Sequence, residues 1–263
     1  MLDYLKRIGI TEGMGVNISS LKLIQKQHLL TVPFENLDIH IHKKVKTDIE
    51  FLYEKIVCQN RGGICYELNW LLAELLKCIG FEVKVLGGKV LEEDGSYFDH
   101  MLLVVELDDK EYLVDVGYGD NFLEPLLFET DIVQMDKKGL FRVDKIDDLH
   151  FALKKYNDES DDFKTEYVFI NKERQIEDFQ KRIEYFTKSD KSIFKKNLFC
   201  SLEKEYGRVS LKHDKLIITE NGSKMTEGIT SSEKYIHHMK DAFRIGLKFE
   251  ERKKLEALWQ ELT

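Results

Sequence analysis

Arg61-Gly62-Gly63-Ile64-Cys65-Tyr66-Glu67-Leu68-Asn69 sets one cysteine where a glycine-rich loop turns into a helix. Leu68, Leu71, Leu72, Leu75, Leu76 and Ile79 recur at three- and four-residue steps, with Lys77 in the last turn and Gly80 as a stop. That spacing predicts an amphipathic helix with Cys65 in its first turn. Free N–H groups and the positive dipole end favour an anion there, and so favour thiolate over thiol. Gly62 and Gly63 permit a tight turn and the approach of a substrate to the backbone. A packed core cysteine fits the same position, since free cysteine is among the most buried residue types.

The chain of 263 residues is long enough for a large core, or for two or three modest units sharing one. Its 40 Lys and Arg are scattered among 48 Asp and Glu, which argues against a nucleic-acid partner. No apolar run approaches the roughly 18–20 residues of a membrane span, and the first seven residues lack the apolar stretch of a secretion signal. A cytoplasmic protein with no membrane partner is expected. Cysteines at 58, 65, 78 and 200 show no paired CxxC spacing, so reduced thiols are expected and a metal site is not.

Residues 1–80 read as mainly helical. A short first helix precedes a second capped by Ser19-Ser20, with Leu21, Ile24, His28 and Leu29 on one face and a stop before Pro33. Thr47-Asp48-Ile49-Glu50 has capping-box spacing, and Phe51, Leu52, Ile56 and Val57 continue it as a buried stripe. From Phe81 the period becomes that of strands, at 83–86, 89–91, 98–107, 112–116, 141–146, 150–156 and 165–170, with turns through 93–96 and 108–110. So many short strands predict a barrel or a strongly curled sheet. A helix near 173–186 follows, then strands near 208–212, 216–219 and 224–229. Two more helices close the chain, one capped by Ser232 and one over about 250–262. No repeat or flexible linker interrupts it, so the lobes are expected to pack on one another.

His100 and Asp115 fall on consecutive strands. In an antiparallel hairpin with an even loop, partners have an odd sum of residue numbers, so Asp115 faces an even-numbered residue such as Leu102 and shares a face with His100. With Asp108 and Asp109 as a two-residue loop, His100 is the diagonal neighbour of Asp115. A buried carboxylate needs a partner, and the imidazole is the one offered. Gly117 and Gly119 imply a bend that a bulky side chain would block. Alone, His100 reads equally as a satisfied sheet histidine and Asp115 as a strand-end turn former. Together with Cys65 they supply what acyl transfer needs: a thiolate, a proton carrier and a carboxylate to orient it.

At this point the chain resembles the arylamine N-acetyltransferases. The likeness rests on 61–69, on Val32-Pro33-Phe34-Glu35-Asn36-Leu37, on the strand carrying His100, and on Leu113-Val114-Asp115-Val116-Gly117-Tyr118-Gly119. Weaker similarity runs from Tyr4 to Leu247. The resemblance implies an α+β fold with a cysteine-protease-like triad arrangement: an N-terminal helical bundle over 1–80, a central β-barrel over 81–187 and a C-terminal α/β lid over 188–263. It implies a catalytic triad of Cys65, His100 and Asp115, with acetyl-CoA as donor, CoA leaving, and an aromatic amine or hydrazine as acceptor. It also implies a buried supporting ion pair of Glu35 with Arg61, and a place for Phe34 beside the substrate, where a core aromatic reads equally well. Tyr118 stands where the family commonly has phenylalanine. CoA binding rests on the resemblance alone, because no nucleotide fingerprint is present.

Other features yield less. Asp38, His40 and His42 alternate at strand spacing, but nothing completes a metal-ligand pattern, so a solvated strand edge is expected. Gly87-Gly88 lacks the spacing of a phosphate loop. His237 and His238 read as a solvated helix face, and Cys58 and Cys78, on apolar stripes, as core. Rival readings are another acyl-CoA-dependent N-acyltransferase or amide synthase of the same family, a papain-like hydrolase or transglutaminase relative, and a non-catalytic binding protein.

Overall fold

The computed structural model describes residues 2–90, 95–119 and 122–262, with residues 261 and 262 described by backbone alone. Leu91 of an expected strand, with Glu93 and Asp94 of the turn after it, lies outside the described residues.

The first part of the chain is helical. Helix α1 (Leu2–Arg7) and α2 (Ile18–Thr31) lead to a two-residue strand β1 (Phe34–Glu35), a helical turn α3 (Leu37–His40), α4 (Ile49–Tyr53) and α5 (Cys65–Ile79). Two caps differ from those expected. Asn17 caps α2 by accepting from Ser20 N at 2.9 Å, which puts Ser19 and Ser20 inside the first turn. Asp48 caps α4 by accepting from Phe51 N at 2.9 Å. Asn17 lies two residues before the expected Ser19 and Asp48 one after Thr47, and each has an oxygen better placed for the free N–H groups. A π-helical turn over Glu54–Cys58 extends α4, and Cys58 is exposed rather than core. The wider turn breaks the apolar stripe that placed it inside. Cys78 is exposed too, since it lies to one side of the Leu72, Leu76 and Ile79 stripe.

Eight strands then form one antiparallel sheet: β2 (Glu82–Val90), β3 (His100–Leu107), β4 (Lys110–Val114), β5 (Leu126–Leu127), β6 (Gln134–Asp136), β7 (Gly139–Lys145), β8 (His150–Asn157) and β9 (Asp162–Ile170). Their order is β5-β4-β3-β2-β9-β8-β7-β6. The two edges curl toward each other, and Gln134 joins them: its side chain accepts from Leu127 N at 2.7 Å and donates to Leu127 O at 2.8 Å. The sheet is thus a nearly closed barrel. Strand β3 is apolar at every position from Met101 to Val105 because both of its faces are buried. Leu102 and Val104 face the barrel interior with Phe122, Phe141 and Phe169. Met101, Leu103 and Val105 pack outward with the Leu68, Leu72 and Leu76 stripe of α5.

After the barrel come a 3-10 turn (Ile176–Phe179), α6 (Gln180–Lys188) and α7 (Ile193–Lys196). A second antiparallel sheet follows from β10 (Phe199–Lys204), β11 (Gly207–Lys212), β12 (Lys215–Glu220) and β13 (Ser223–Gly228), and the chain ends in α8 (Ser232–Phe243) and α9 (Phe249–Leu262). Ser231, one residue before the expected Ser232, caps α8. Strand β10 was not among the expected strands, and β1 pairs with it as the far edge of this sheet, through Phe34↔Ser201 and Glu35↔Cys200. One face of the sheet buries Leu202, Val209 and Leu216 with Tyr235, Phe243 and Trp259 of α8 and α9. Among the described residues, no helix is long and apolar enough to cross a membrane.

A buried ionic network ties these parts together. Arg61 Nη2 lies 2.8 Å from Glu35 and 2.9 Å from Asp38, and its Nη1 lies 3.3 Å from Glu251 of α9. Lys55 adds Asp38 at 2.9 Å and Glu67 at 2.7 Å. Asp38 is therefore not on a solvated strand edge. The residues around it form a helical turn, drawn in by the two cations. Burial acts to raise the Asp38 carboxyl, but Lys55 and Arg61 outweigh it and hold its pKa down to about 2. His40 turns the other way, its Nε2 lying 2.9 Å from Phe194 O.

Replacing Arg61 by methionine leaves Glu35, Asp38 and Glu251 facing one another without the guanidinium. The cost expected is about 3–5 kcal/mol of unfolding free energy, the range for removing one partner of a buried pair. Urea unfolding of Arg61→Met at neutral pH measures it, and a loss under about 1 kcal/mol would show that water compensates those carboxylates.

Candidate active site

Cys65 opens α5 and is 3% exposed. Its turn is fixed from below by Glu67, whose Oε2 accepts from Ile64 N at 3.0 Å. The two glycines before it serve the protein's own packing and not, as expected from sequence, the approach of a substrate. A Cβ at Gly62 would lie 1.8 Å from Pro33 O, and one at Gly63 would lie 2.7 Å from Glu67 Oε2. Strand β1 runs alongside, with Glu35 N donating to Gly63 O at 3.0 Å. Only glycine lets these strands of backbone close up.

His100 and Asp115 arrive from the barrel. Asp108 and Asp109 have φ of 52° and 59°, a two-residue turn with both central residues left-handed. The register it sets pairs Leu103 with Val114. Extended by one residue, it puts Leu102 across from Asp115 and His100 on the diagonal, as the parity argument requires. The His100 Nε2 donates to Asp115 Oδ2 at 2.7 Å, since a carboxylate can only accept. Nδ1 is thereby left without the carboxylate, and Cys65 lies close enough to act on the ring. Burial works to lower the His100 pKa, but the charge of Asp115, its hydrogen bond and the contact with Cys65 prevail and push it up to about 10.

Two residues to which the sequence reading gave no role complete the arrangement. Asn69, one helical turn after Cys65, donates to Asp115 Oδ1 at 3.0 Å and to Met101 O at 2.6 Å, and accepts from Val116 N at 3.0 Å. Its i, i+4 relation to Cys65 was a usable signal, because it fixes both side chains on one face. Tyr167 donates its hydroxyl to Asp115 Oδ2 at 3.1 Å, from a strand 52 residues away, and no local pattern announces that. With Gly117 N at 2.9 Å, Asp115 has donors on both oxygens although it is fully buried. Gly117 itself packs directly on the Cys65 backbone: a Cβ there would be 2.6 Å from Cys65 Cα. Tyr118 lays its ring edge-on to His100 at 5.3 Å and sends its hydroxyl to Glu166 O at 2.8 Å, away from the imidazole.

Cys65 and His100 line a cavity of about 460 Å³. Phe34 borders it, stacked on Phe199 at 5.5 Å, and Phe186 and Phe194 continue this aromatic wall. Glu35 and Arg61 do not reach the cavity and stand behind it in the ionic network. The same face of the second sheet that carries Phe34 and Phe199 continues the lining, where the register aligns Arg208, Thr219 and Lys224 in a row across β11, β12 and β13, with Lys212 further along β11. Arg208, Lys212 and Lys224 have no carboxylate partner among the described residues. No group of three or more His, Cys, Asp and Glu side chains among the described residues is arranged to hold a metal ion.

A family model described as N-acetyltransferase matches residues 17–252. Human arylamine N-acetyltransferase 1 is 30% identical over 274 aligned positions, covering 93% of each chain. A pineal gland isozyme of arylamine N-acetyltransferase from Gallus gallus is 29% identical with the same 93% coverage of both. Among solved structures, an arylamine N-acetyltransferase of Mycobacterium smegmatis superposes with a TM-score of 0.89 at 26% identity, over 98% of both chains. The Mycobacterium marinum enzyme in complex with CoA gives 0.89 at 25% identity, over 99% of this chain and 98% of that one.

Asp115→Asn removes the charge that holds His100 up, leaving burial to pull it below its ordinary 6.5. At pH 8 the ring of the variant should be neutral and that of the unsubstituted protein imidazolium, as read from imidazole nitrogen shifts by NMR. Stability should follow. A folded pKa of about 10 above an unfolded one near 6.5 gives a contribution that is full below pH 6.5 and is lost as pH rises through 10. The gap in denaturation midpoint between the two proteins should therefore narrow from pH 6 to pH 10. A constant gap would contradict the charged pair.

Proposed function

The chain belongs to the arylamine N-acetyltransferase family, and from that premise we propose that it carries an acetyl group from acetyl-CoA to the nitrogen of an arylamine or arylhydrazine through an acetylated Cys65. The observation that carries this reading is that Cys65 and His100 line one aromatic-walled cavity while His100 Nε2 is held 2.7 Å from the Asp115 carboxylate behind it.

The chemistry runs in two halves. In the first, the Cys65 sulfur attacks the thioester carbonyl of acetyl-CoA. The tetrahedral intermediate collapses with cleavage of the bond to the CoA sulfur, and imidazolium His100 gives the leaving sulfur a proton. Exchange of one thioester for another needs little driving force. In the second half, the acceptor nitrogen attacks the acetyl carbon on Cys65 while neutral His100 takes one N–H proton. Collapse then frees the Cys65 sulfur. Asp115 remains a carboxylate throughout, fixing the tautomer and steadying the charged ring. The phenylalanine wall suits an aromatic acceptor. Arg208, Lys212 and Lys224 supply the unpaired positive charge that the phosphates of CoA require.

Intact-protein mass spectrometry after acetyl-CoA alone should show one added acetyl group on Cys65 that disappears when an arylamine is supplied. Rapid loss in buffer would favour the hydrolase reading, preference for a longer acyl-CoA would favour a different N-acyltransferase, and no acylation from any acyl-CoA would sink the assignment. Asp115→Asn should slow acetyl transfer by about 10⁴, the scale found when a triad loses its orienting carboxylate. Arg208→Ala and Lys224→Ala should each raise KM for acetyl-CoA about tenfold, or ~1.4 kcal/mol, with kcat little changed. Unchanged KM in both would move the phosphates elsewhere.

A further inference from the structure

Helix α7 is a single turn of four residues, too short to hold its place by helical hydrogen bonding alone. It nonetheless carries Ile193 and Phe194 to the wall of the Cys65 cavity. The Phe194 ring touches every other phenylalanine of that wall, with centroids 4.8 Å from Phe186, 5.6 Å from Phe199 and 6.2 Å from Phe34. Where this ring stands depends on what grips the turn from outside.

Two side chains grip it from α3: Asn36 at the start of that turn and His40 at its end. Asn36 Nδ2 spends both hydrogens on main-chain carbonyls, Phe194 O at 2.8 Å and Asn197 O at 2.7 Å. Its Oδ1 accepts from Phe199 N at 3.0 Å. His40 Nε2 lies 2.9 Å from the same Phe194 O and 3.1 Å from the same Asn197 O. Carbonyl oxygens only accept, so the ring carries a proton on Nε2 and shares it between them. On the side of α6, Ser192 Oγ accepts from Phe194 N at 3.1 Å and donates to Phe186 O at 2.8 Å. The backbone of Phe194 is thus held at both its N–H and its carbonyl. Asn36 also follows Phe34 by two residues, so one short segment places Phe34, Phe194 and Phe199 relative to one another.

We propose, resting on the reading of Cys65 as the acetyl carrier, that Asn36 and His40 are positioning residues that fix the Phe194 ring and thereby set the width of the aromatic amine the site accepts. Neither is among the described residues that line the cavity. An apolar wall discriminates by fit, and one misplaced methylene changes selectivity by roughly tenfold or more. With the clamp released Phe194 withdraws, so a single-ring amine loses contact and a two-ring amine gains room. The acetyl group taken up in the first half has no ring to fit and is indifferent to this width.

The experiment measures the two halves separately. Acetylation is followed by intact mass after acetyl-CoA alone, and discharge by loss of that mass on adding aniline or 2-aminonaphthalene. In His40→Ala and Asn36→Asp, acetylation should stay within about twofold of the unsubstituted rate, while the ratio of discharge rates should shift about tenfold toward the two-ring amine. Asn36→Asp keeps the acceptor for Phe199 N but sets a carboxylate against two carbonyls, and it carries the test if the alanine variant does not fold. His40→Gln, whose amide N–H reaches the same carbonyls, should hold the unsubstituted ratio. Phe194→Leu should shift the ratio in the same direction, and adding His40→Ala to it should shift it no further, as expected of two changes acting through one ring. An unchanged ratio in both clamp variants, equal slowing of both amines or of both halves, or full additivity with Phe194→Leu would overturn the proposal. Failure of the unsubstituted protein to take an acetyl group would instead overturn the function on which it rests.

Discussion

The Arg61 guanidinium is the interaction on which the geometry of this molecule turns. It reaches β1 through Glu35, α3 through Asp38 and α9 through Glu251, elements from both ends of the chain. Through Asp38 the network passes to Lys55 and on to Glu67, and Glu67 closes on Ile64 N at the start of α5. Burying charges costs several kcal/mol for each ion, recovered only when every charge meets partners in good geometry. The group of Glu35, Asp38, Glu67 and Glu251 with Lys43, Lys55 and Arg61 holds one more carboxylate than cations. The excess falls on Glu67, which burial holds above the usual carboxylate range despite Lys55. The residue that positions the first turn of the Cys65 helix is thus the member of the network most weakly held as an anion.

Local chemistry explains what the sequence made readable. Helix α5 follows from leucine spacing and a terminal glycine, and its Cys65 sits where the pattern starts. The relation of His100 to Asp115 follows from a two-residue turn that Asp-Asp can adopt, because parity then fixes which side chains share a face. Strand β3, read as an apolar run, owes that run to burial on two sides. What stayed hidden is non-local. Asp38 looked solvated because the cations that bury it lie 17 and 23 residues further along the chain, as Lys55 and Arg61. Strand β10, with the sequence Phe-Cys-Ser-Leu-Glu-Lys, shows no strong alternation, and β1 has two residues, so their pairing could be found only in three dimensions. Tyr167 reaches Asp115 across the barrel interior for the same reason. Cys58 was misplaced by a single π turn, since periodicity assumes a uniform helix.

The site joins two rigid bodies of backbone through contacts that tolerate little change. The barrel fixes His100 and Asp115 relative to each other by hairpin register, whereas α5 fixes Cys65 and Asn69 relative to each other by helical pitch. Neither element determines the distance between the pairs. That distance is set where Asn69 binds Met101 O, Val116 N and Asp115, and where Gly117 rests on the Cys65 backbone with no room for a Cβ. Asn69 offers two donors and an acceptor, and its three partners lie on both strands of the hairpin. A hydrophobic residue there could fill the space but would leave a buried carboxylate and a buried N–H with one partner fewer.

The same packing accounts for the electrostatics of the imidazole. A histidine this buried should be neutral at every physiological pH, as His28 is, where burial without any hydrogen-bond partner among the described residues pushes the pKa down to about 3. His100 is buried to the same degree, yet its pKa moves the opposite way, up to about 10. The difference is the carboxylate at 2.7 Å, which also accepts from Asn69, Gly117 and Tyr167, together with the contact with Cys65. Low polarity around His100 therefore strengthens its pairing with Asp115 more than it penalises the charge. Of the residues that donate to Asp115, Tyr167 also packs its ring against His100 at 5.1 Å, whereas Asn69 bears on the imidazole through the carboxylate it shares with the hairpin.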